Sequence, residues 1–228
     1  MAEYFLASHV HFCCRGDAFV FLDLKQDDYM LVNGNAATAF KNLLDHRLTQ
    51  ANVQFAADLQ ELLDGGLLTT DPLAGKSLCA AQSELALELL IDPEGMTRSS
   101  PRPSHIARFI YACTSAAIRL RWGHIQQTVN AVANRKRRRT ARTPFDIDKA
   151  RELTATFQAL RSVFPRDYLC LFDSLALLEF LAGHDVYPTW VFGVRLEPWG
   201  AHCWVQEGQF IFNEGVEEAA SYTPIMTV

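Results

Sequence analysis

A cysteine stands at the head of an apolar segment, DYLCLFDSLALLEFL, residues 167–181. The leucines of this segment recur at helical spacing, at Leu171, Leu175, Leu178 and Leu181. The segment therefore predicts a buried helix that begins near Cys170. A helix N-terminus carries unpaired N–H groups and a partial positive charge, which favour the ionised thiol. Because the thiolate is the nucleophilic form of cysteine, the position of Cys170 is suited to nucleophilic catalysis.

A nucleophilic cysteine needs a base, and the base needs a group that orients it. The segment GAHCWVQEGQFIFNEG, residues 200–215, predicts a β-hairpin with His202 near the start of its first strand. Asn213 and Glu214 follow the second strand, and either could accept a hydrogen bond from the second imidazole nitrogen. Taken alone, His202 is more often a strand-end histidine that bonds the backbone. Taken with Cys170, the order of cysteine, histidine and acid or amide predicts a catalytic triad.

The chain that positions these residues has 228 residues, of which 49% are hydrophobic and 21% charged, and a net charge of −5. This composition is ordinary for a globular protein of one large or two small domains, and it offers no overall basic surface for nucleic acid. The sequence lacks a run of about 18 apolar residues that would predict a membrane span. Glu3 stands where a signal peptide has its basic region. We therefore expect a cytoplasmic protein whose six cysteines are reduced.

The first third of the chain is strand-rich and then helical. Three strands are predicted, at Tyr4–Val10, Ala18–Leu24 and Tyr29–Val32. Helices are predicted from Asn35 to about His46 and near Val53–Leu63, where two glycines end the second helix. Residues 1 to about 72 therefore predict a three-stranded meander with two or three helices.

The rest of the chain is helical and then β-rich. Residues 91–105, IDPEGMTRSSPRPSH, are rich in Pro, Gly and Ser and predict a linker or a long loop. Helices are predicted at about Ser104–Asn130, at about Asp146–Ser162 and from Cys170, and strands at Thr189–Leu196, His202–Gln206 and Gln209–Asn213. The predicted fold class is α+β, with domains at residues 1–75 and 106–228 and a loose connection at residues 76–105.

Residues 168–214, YLCLFDSLALLEFLAGHDVYPTWVFGVRLEPWGAHCWVQEGQFIFNE, resemble the C-terminal domain of lasso-peptide B proteins, the leader peptidases of microcin-type lasso peptides. The family pattern is Cys-Leu, Ser-x-Ala-Leu, Ile-Gly-Val-Arg, Pro-Phe-x-x-His-x-Trp-Val-Glu and Val-Asn-Asp. The matching positions here are Cys170-Leu171, Ser174–Leu177, Gly193–Arg195, Pro198-Trp199, His202, Trp204-Val205 and Asn213-Glu214. Two positions depart from the pattern: Glu214 replaces the usual Asp, and Gln206 replaces the usual Glu. We interpret the second departure as a surface change.

Residues 29–44, YMLVNGNAATAFKNLL, resemble the strand and helix of small PqqD-type precursor-recognition domains. This looser resemblance implies a winged-helix-like domain, here fused to a transglutaminase-like or papain-like α+β domain. It also implies that the leader peptide adds a strand to an exposed sheet edge. The receiving edge would be Tyr29, Met30, Leu31 and Val32, and the opposite wall would be Leu59, Leu62 and Leu63. The alternative for these leucines is ordinary core packing.

The resemblance to lasso-peptide B proteins implies a cysteine peptidase that cuts the leader from a ribosomally made precursor peptide and leaves the core to an asparagine-synthetase-like cyclase. Cys170 would attack the scissile carbonyl, His202 would move the proton, and Glu214 would orient His202. The N–H of Cys170 would be one donor to the oxyanion. Arg195 and Trp199 would support the site or contact the peptide. No cofactor is implied for this chain, and a need for ATP in coupled maturation stays open.

Two other functions stay open at this point. The same triad could transfer an acyl group to an amine, as in true transglutaminases. Alternatively, the chain could be a non-catalytic module that delivers the precursor to another enzyme. We expect no nucleic-acid or membrane partner.

Other features favour ordinary structural roles. Arg135–Arg139, five consecutive cations, predict a solvated loop, with docking to an acidic partner as the second interpretation. The segment His9–Cys14 has metal-ligand spacing, but its two histidines would share a strand face, so we expect no metal site. Cys203 would point to the strand face opposite His202, and we interpret it as packing. Trp204 could line a groove or pack the hairpin.

Overall fold

The computed structural model describes residues 3–45, 53–91, 101–140 and 145–228. The chain forms two compact units that divide between Gln82 and Ser83. Both units contain helices and sheets, so the predicted α+β class is confirmed. Within the described ranges, we find no helix that combines the length and the apolar character needed to cross a bilayer.

The first unit combines two small sheets with two helices. Its elements are β1 (Phe5–Ala7), β2 (Val10–Arg15), β3 (Ala18–Asp23), β4 (Asp28–Val32), α1 (Gly34–Leu44), α2 (Val53–Asp64), β5 (Leu68–Thr69) and β6 (Gly75–Lys76). Strands β2, β3 and β4 form an antiparallel meander, with β4 at one end. Strand β1 pairs with both β5 and β6 in a separate sheet.

The predicted strand Tyr4–Val10 is wrong in its extent. Strand β1 ends at Ala7, and Val10 begins β2, which is the first strand of the meander. His9 lies in the turn between them and does not share a strand face with His11. The reason is that β1 pairs with strands that follow α2, and a local sequence pattern cannot show such a distant pairing. The predicted end of the first helix, His46, lies outside the described residues.

Four phenylalanines pack together within the hydrophobic core of the first unit. Phe40 of α1 sits against Phe12, Phe19 and Phe21 of the meander, with ring centroids 4.9 to 5.1 Å apart and steep interplanar angles. Aromatic rings favour this edge-to-face packing. The cluster therefore fixes α1 on one face of the meander.

The second unit packs helices against a five-stranded sheet. Its elements are β7 (Glu88–Leu89), α3 (Pro103–Trp122), α4 (Ile125–Thr140), α5 (Ile147–Arg161), α6 (Cys170–Ala182), β8 (Thr189–Leu196), β9 (Trp199–Glu207), β10 (Phe210–Ile211), α7 (Val216–Ala220) and β11 (Thr223–Thr227). The strand order is β11-β8-β9-β10-β7. Strands β8 and β9 form a long antiparallel hairpin. The predicted connection at residues 76–105 includes residues of both units, since β6 belongs to the first and β7 to the second.

Helix α6 is buried on every side. Each residue from Phe172 to Leu181 is buried, and the helix packs against α3, α5 and β9. A helix that is apolar all round belongs in the middle of a core. Cys170, at its first position, is only partly buried, so the nucleophile candidate lies where the buried helix reaches the surface.

The single helix predicted at Ser104–Asn130 is two helices in the structure. Helix α3 ends at Trp122, where Gly123 adopts extended backbone dihedral angles, and α4 begins at Ile125. A Cβ atom at position 123 would lie 2.6 Å from the carbonyl oxygen of Arg119. Only glycine fits this close approach, so the break is built into the sequence at that residue. Residues 92–100 of the predicted linker lie outside the described residues.

The solvated loop predicted at Arg135–Arg139 is wrong. These residues form the last turns of α4, and two of them point inward. Arg135 donates to both carboxylate oxygens of buried Glu179, at 2.7 and 3.0 Å. Lys136 Nζ donates to Thr189 Oγ1 at 2.7 Å, and burial lowers the pKa of this amine. Two of the five residues therefore anchor α4, while Arg137, Arg138 and Arg139 are exposed.

Candidate active site

The loop that leads into Cys170 is fixed by a buried ion pair. Arg161 of α5 and Asp173 of α6 pair through Nε and Oδ1, and both side chains are almost fully buried. Arg161 also donates to the carbonyl oxygens of Arg166 and Asp167 in the loop before the helix. Asp173 accepts the N–H of Leu169, the residue before Cys170, at 2.6 Å. The ion pair therefore holds the first turn of α6 in place. Sequence reasoning missed both residues, although charges inside apolar helical patterns were a signal for them.

His202 and Glu214 are in direct contact. The Nε2 of His202 lies 2.8 Å from Oε2 of Glu214, whose other oxygen accepts the N–H of Gly215 at 2.8 Å. His202 also lies beside Cys170, which raises the pKa of its imidazole. Since Nε2 faces the carboxylate, Nδ1 is the nitrogen available to the sulfur. The structure thus brings together the three residues that the sequence predicted as a triad.

Asn213, the alternative partner for His202, has a different contact. Its Oδ1 accepts the backbone N–H of Val205 at 2.8 Å. The amide therefore joins the end of the hairpin to β9 just beyond the short strand β10. Of the two candidates left open by the sequence, Glu214 is the one that contacts the imidazole.

The contacts around Cys170 stabilise its thiolate. Hydrogen bonds from Cys203 and from His202 lower the pKa of Cys170 to about 4, against the effect of burial. For His202, burial favours the neutral ring, but hydrogen bonds to Cys170 and Glu214 outweigh burial and raise its pKa to about 9. The hydrogen bond from His202 also lowers the pKa of Glu214. Between those two values, the site holds a thiolate beside an imidazolium.

Cys203 contacts the nucleophile as well as the core. Its thiol is buried in the core, so the interpretation of Cys203 as packing is confirmed. Its sulfur also lies 3.3 Å from Ser174 Oγ, and Cys203 lowers the pKa of Cys170. Strand alternation does turn it away from the side of His202, but α6 packs on that face of β9 and carries Cys170 to it. The sequence contains no local signal for which face the helix covers.

An aromatic residue that the sequence analysis missed packs against His202. The ring centroid of Tyr222 lies 5.1 Å from that of His202, and the Trp204 ring stacks on the imidazole at 6.1 Å. A Cβ atom at Gly193 would lie 2.9 Å from atoms of both Trp204 and Tyr222. Glycine in the Gly-Val-Arg segment therefore allows the two aromatic side chains to close around the histidine.

Arg195 contacts Tyr222, the residue that packs against His202. Its guanidinium lies 4.8 Å above the Tyr222 ring and donates to Ser221 Oγ at 3.3 Å. Trp199, at the start of β9, is 53% exposed, and Leu169, before Cys170, is 52% exposed. Both segments that carry the reacting side chains thus begin with an exposed apolar residue.

Gln206 is buried, so its interpretation as a surface change is wrong. Its Oε1 accepts the indole N–H of Trp204 at 2.9 Å, and its Nε2 donates to the carbonyl oxygens of Glu84 and Gly208, each at 2.8 Å. A carboxylate could not donate these two hydrogen bonds. The amide therefore suits this position, where it joins the hairpin to the segment before β7. Trp204, which had two interpretations, is buried in the hairpin.

The residues predicted to bind a leader peptide lie in the first unit. In β4, Met30 and Leu31 are exposed, Tyr29 is partly buried and Val32 is buried. On α2, Leu59 and Leu62 are buried in the hydrophobic core, and Leu63 packs against it. Nowhere in the described ranges do three or more His, Cys, Asp or Glu side chains converge to hold a metal ion.

The fold and the triad agree with a comparison to known families. A family model described as the transglutaminase-like superfamily matches residues 110–227. No curated protein and no solved structure matches the chain. The matched range covers more than half of the chain and contains Cys170, His202 and Glu214. The chain therefore belongs to the transglutaminase-like superfamily.

Proposed function

We propose that the protein is a cysteine peptidase that removes the leader from a ribosomally made precursor peptide, as in lasso-peptide biosynthesis. The observation that carries this proposal is the contact of Cys170 with His202, whose ring is in turn bonded to Glu214. The resemblance of residues 168–214 to lasso-peptide B proteins supports the choice of substrate. An asparagine-synthetase-like cyclase would then use the released core.

In the proposed reaction, the Cys170 thiolate attacks the carbonyl carbon at the junction of leader and core. The N–H of Cys170 donates to the oxyanion, because the first N–H groups of a helix have no acceptor within it. The imidazolium of His202 then gives its proton to the leaving amine, which is the new N-terminus of the core. The leader remains as a thioester on Cys170. Neutral His202 then takes a proton from a water molecule. The hydroxide formed in this way attacks the thioester, which releases the leader and restores the thiol.

The first unit would bind the leader at the outer edge of β4, which pairs with no further strand among the described residues. This strand lies at the end of its sheet, and exposed Met30 and Leu31 could contact leader side chains. An added strand gains backbone hydrogen bonds at such an edge. Since Leu59 and Leu62 are core residues, only Leu63 remains as a candidate for the opposite wall. We expect Leu31→Asp to weaken binding of a fluorescent precursor in an anisotropy titration, whereas Leu73→Asp, at another exposed site of the unit, should leave binding unchanged.

Acyl transfer to an amine is the competing reaction, because the superfamily includes both peptidases and acyltransferases. The two reactions share the thioester and differ in what attacks it. Water gives a free leader, and a primary amine gives an amide of greater mass. The intact mass of the product therefore separates the two.

The test uses purified protein and the short peptides encoded next to its gene, followed by mass spectrometry with and without a biotinylated alkylamine. Free leader and free core are expected both with and without the alkylamine. Their masses together should equal the mass of the precursor plus one water. Cys170→Ala should abolish cleavage and keep precursor binding, and Cys79→Ala, at an exposed cysteine, should cleave normally. If the amine-linked product is the only product, the protein is an acyltransferase and the peptidase assignment is wrong. Cleavage that survives in Cys170→Ala would contradict both the peptidase and the acyltransferase, and precursor binding without any reaction by the wild type would favour the delivery module.

A further inference from the structure

Two thiols of unequal character meet at the first turn of α6. Cys170 is partly exposed, whereas Cys203 of β9 is 3% exposed. The two residues meet at Ser174, whose Oγ lies 3.3 Å from the Cys203 sulfur and 2.6 Å from the carbonyl oxygen of Cys170, and each thiol shifts the pKa of the other. Apart from these two, the second unit contains one cysteine, Cys113, which is buried in α3. Cys203 is therefore the thiol placed to react with a modified Cys170.

Ser174 keeps the Cys203 thiol in this position. The Ser174 hydroxyl lies 2.6 Å from the Cys170 carbonyl oxygen and accepts the indole N–H of Trp190 at 2.9 Å. Its single proton is thus used on the carbonyl, so it can only accept from Cys203, at 3.3 Å. The Cys203 S–H can then point to Ser174 or to Cys170, and in either case Cys203 keeps its proton. Burial, the largest influence on this thiol, raises its pKa well above the ordinary value.

This arrangement favours a defined sequence of oxidation. An exposed thiolate is the form of cysteine that reacts with peroxides, and a sulfenic acid condenses with a neighbouring thiol to give a disulfide. We propose that Cys203 is a resolving thiol, which converts oxidised Cys170 into a Cys170–Cys203 disulfide that reversibly blocks the nucleophile. The proposal concerns a modification of the site and does not depend on which substrate the protein cleaves.

The chemistry balances with hydrogen peroxide as the oxidant. In the first step, the Cys170 thiolate attacks one peroxide oxygen, the O–O bond breaks, and the leaving hydroxide takes the proton of the His202 imidazolium to form water. Cys170 becomes a sulfenic acid and His202 becomes neutral. In the second step, the Cys203 sulfur attacks the Cys170 sulfur, the S–O bond breaks, and the Cys203 proton leaves with the hydroxyl group as water. Together, the two thiols have then lost two electrons to one molecule of hydrogen peroxide.

The sequence around the two cysteines makes the product easy to identify. Trypsin cuts after Arg166 and Arg195, and the chain has no Lys or Arg beyond Arg195. Cys170 and Cys203 therefore fall in two peptides, residues 167–195 and residues 196–228, each with one cysteine. A covalent complex of these two peptides can only be the proposed disulfide.

The experiment treats the full-length wild-type protein with hydrogen peroxide, blocks free thiols with an alkylating agent and digests the protein under non-reducing conditions. The expected result is a linked pair of peptides, two hydrogen masses lighter than their sum, which dithiothreitol separates. Dithiothreitol should also restore the reaction of Cys170 with iodoacetamide. Sulfinic or sulfonic acid on Cys170 without the linked pair, or a disulfide to any other cysteine, would overturn the proposal.

Two variants give a second measurement. In Cys203→Ser, the hydroxyl can keep the hydrogen bonds but cannot form a disulfide, so peroxide should carry Cys170 to the sulfinic acid and dithiothreitol should no longer restore alkylation. Cys113→Ser, at a buried cysteine of α3, should behave as the wild type. Equal recovery after peroxide in Cys203→Ser and wild type would rule out the resolving role. Circular dichroism confirms that each variant is folded before it is compared.

Discussion

Nε2 of His202 lies 2.8 Å from Oε2 of Glu214, while Cys170 lies beside the same imidazole and raises its pKa. The histidine therefore lies between a carboxylate and a sulfur, and both favour its protonated form. In return, the protonated ring favours the thiolate. A change in the charge of Glu214 should therefore change the pKa of Cys170.

Replacing Glu214 by Gln should make Cys170 less reactive at acidic pH. The amide keeps the shape of the side chain but removes the negative charge, so the pKa of His202 should fall and that of Cys170 should rise. The rate of iodoacetamide alkylation at pH 5 should drop about twofold if the pKa of Cys170 rises by one unit and about tenfold if it rises by two, because the thiolate fraction falls in that proportion. Glu217→Gln, an exposed acid three residues further on, is the matched control and should not change the rate.

The pH dependence of wild-type alkylation tests the ion pair itself. Cys170 has a lowered pKa of about 4, so its thiolate forms as the pH rises through that value and should react at a constant rate from about pH 5 to 8. Peptide cleavage also needs the His202 proton and should decline again as the pH rises through about 9. An alkylation rate that rises only near the ordinary pKa of a thiol would show that the pair does not form.

Gln206→Glu should destabilise the second unit. The carboxylate would face the carbonyl oxygens of Glu84 and Gly208, which now accept hydrogen bonds from the amide. Loss of two buried hydrogen bonds and burial of a charge predict a fall of about 2 to 4 kcal/mol in the free energy of unfolding. Urea unfolding measures this change, with Gln127→Glu on the exposed side of α4 as the control. Equal stability of the two variants would contradict the role given to Gln206.

The arginine run can be tested by comparing two of its members. Arg135→Ala removes the paired hydrogen bonds to buried Glu179 and leaves that carboxylate with Arg119, 3.8 Å away. We expect the free energy of unfolding to fall by about 2 kcal/mol, because an ion pair that loses one partner leaves a buried charge. Arg138→Ala, in the same helix but exposed, should stay within about 0.5 kcal/mol of the wild type. Similar effects for the two variants would show that the run acts only as a charged surface.

The sequence was sufficient to predict most of the side chains that meet at the candidate site. An apolar helix with a cysteine at its head, followed by a histidine on a predicted hairpin, predicted Cys170 and His202 and left Asn213 and Glu214 as alternative partners of the histidine. These features are local, since helical periodicity, strand alternation and turn residues depend on neighbours along the chain. For the same reason, α5, the start of α6 and strand β8 were predicted close to their observed bounds, whereas α7 and β11 were not predicted.

Only the tertiary structure decided which groups surround those three side chains. The contact of Cys203 with Cys170, the ion pair of Arg161 with Asp173, and the packing of Tyr222 on His202 each join elements that are separate along the chain. The same holds for Arg135 and Gln206, which the sequence placed at the surface and the fold places against Glu179 and Glu84. A sequence pattern shows which face of an element is apolar, but it does not show which partner covers that face, because the partner is chosen by packing over the whole domain.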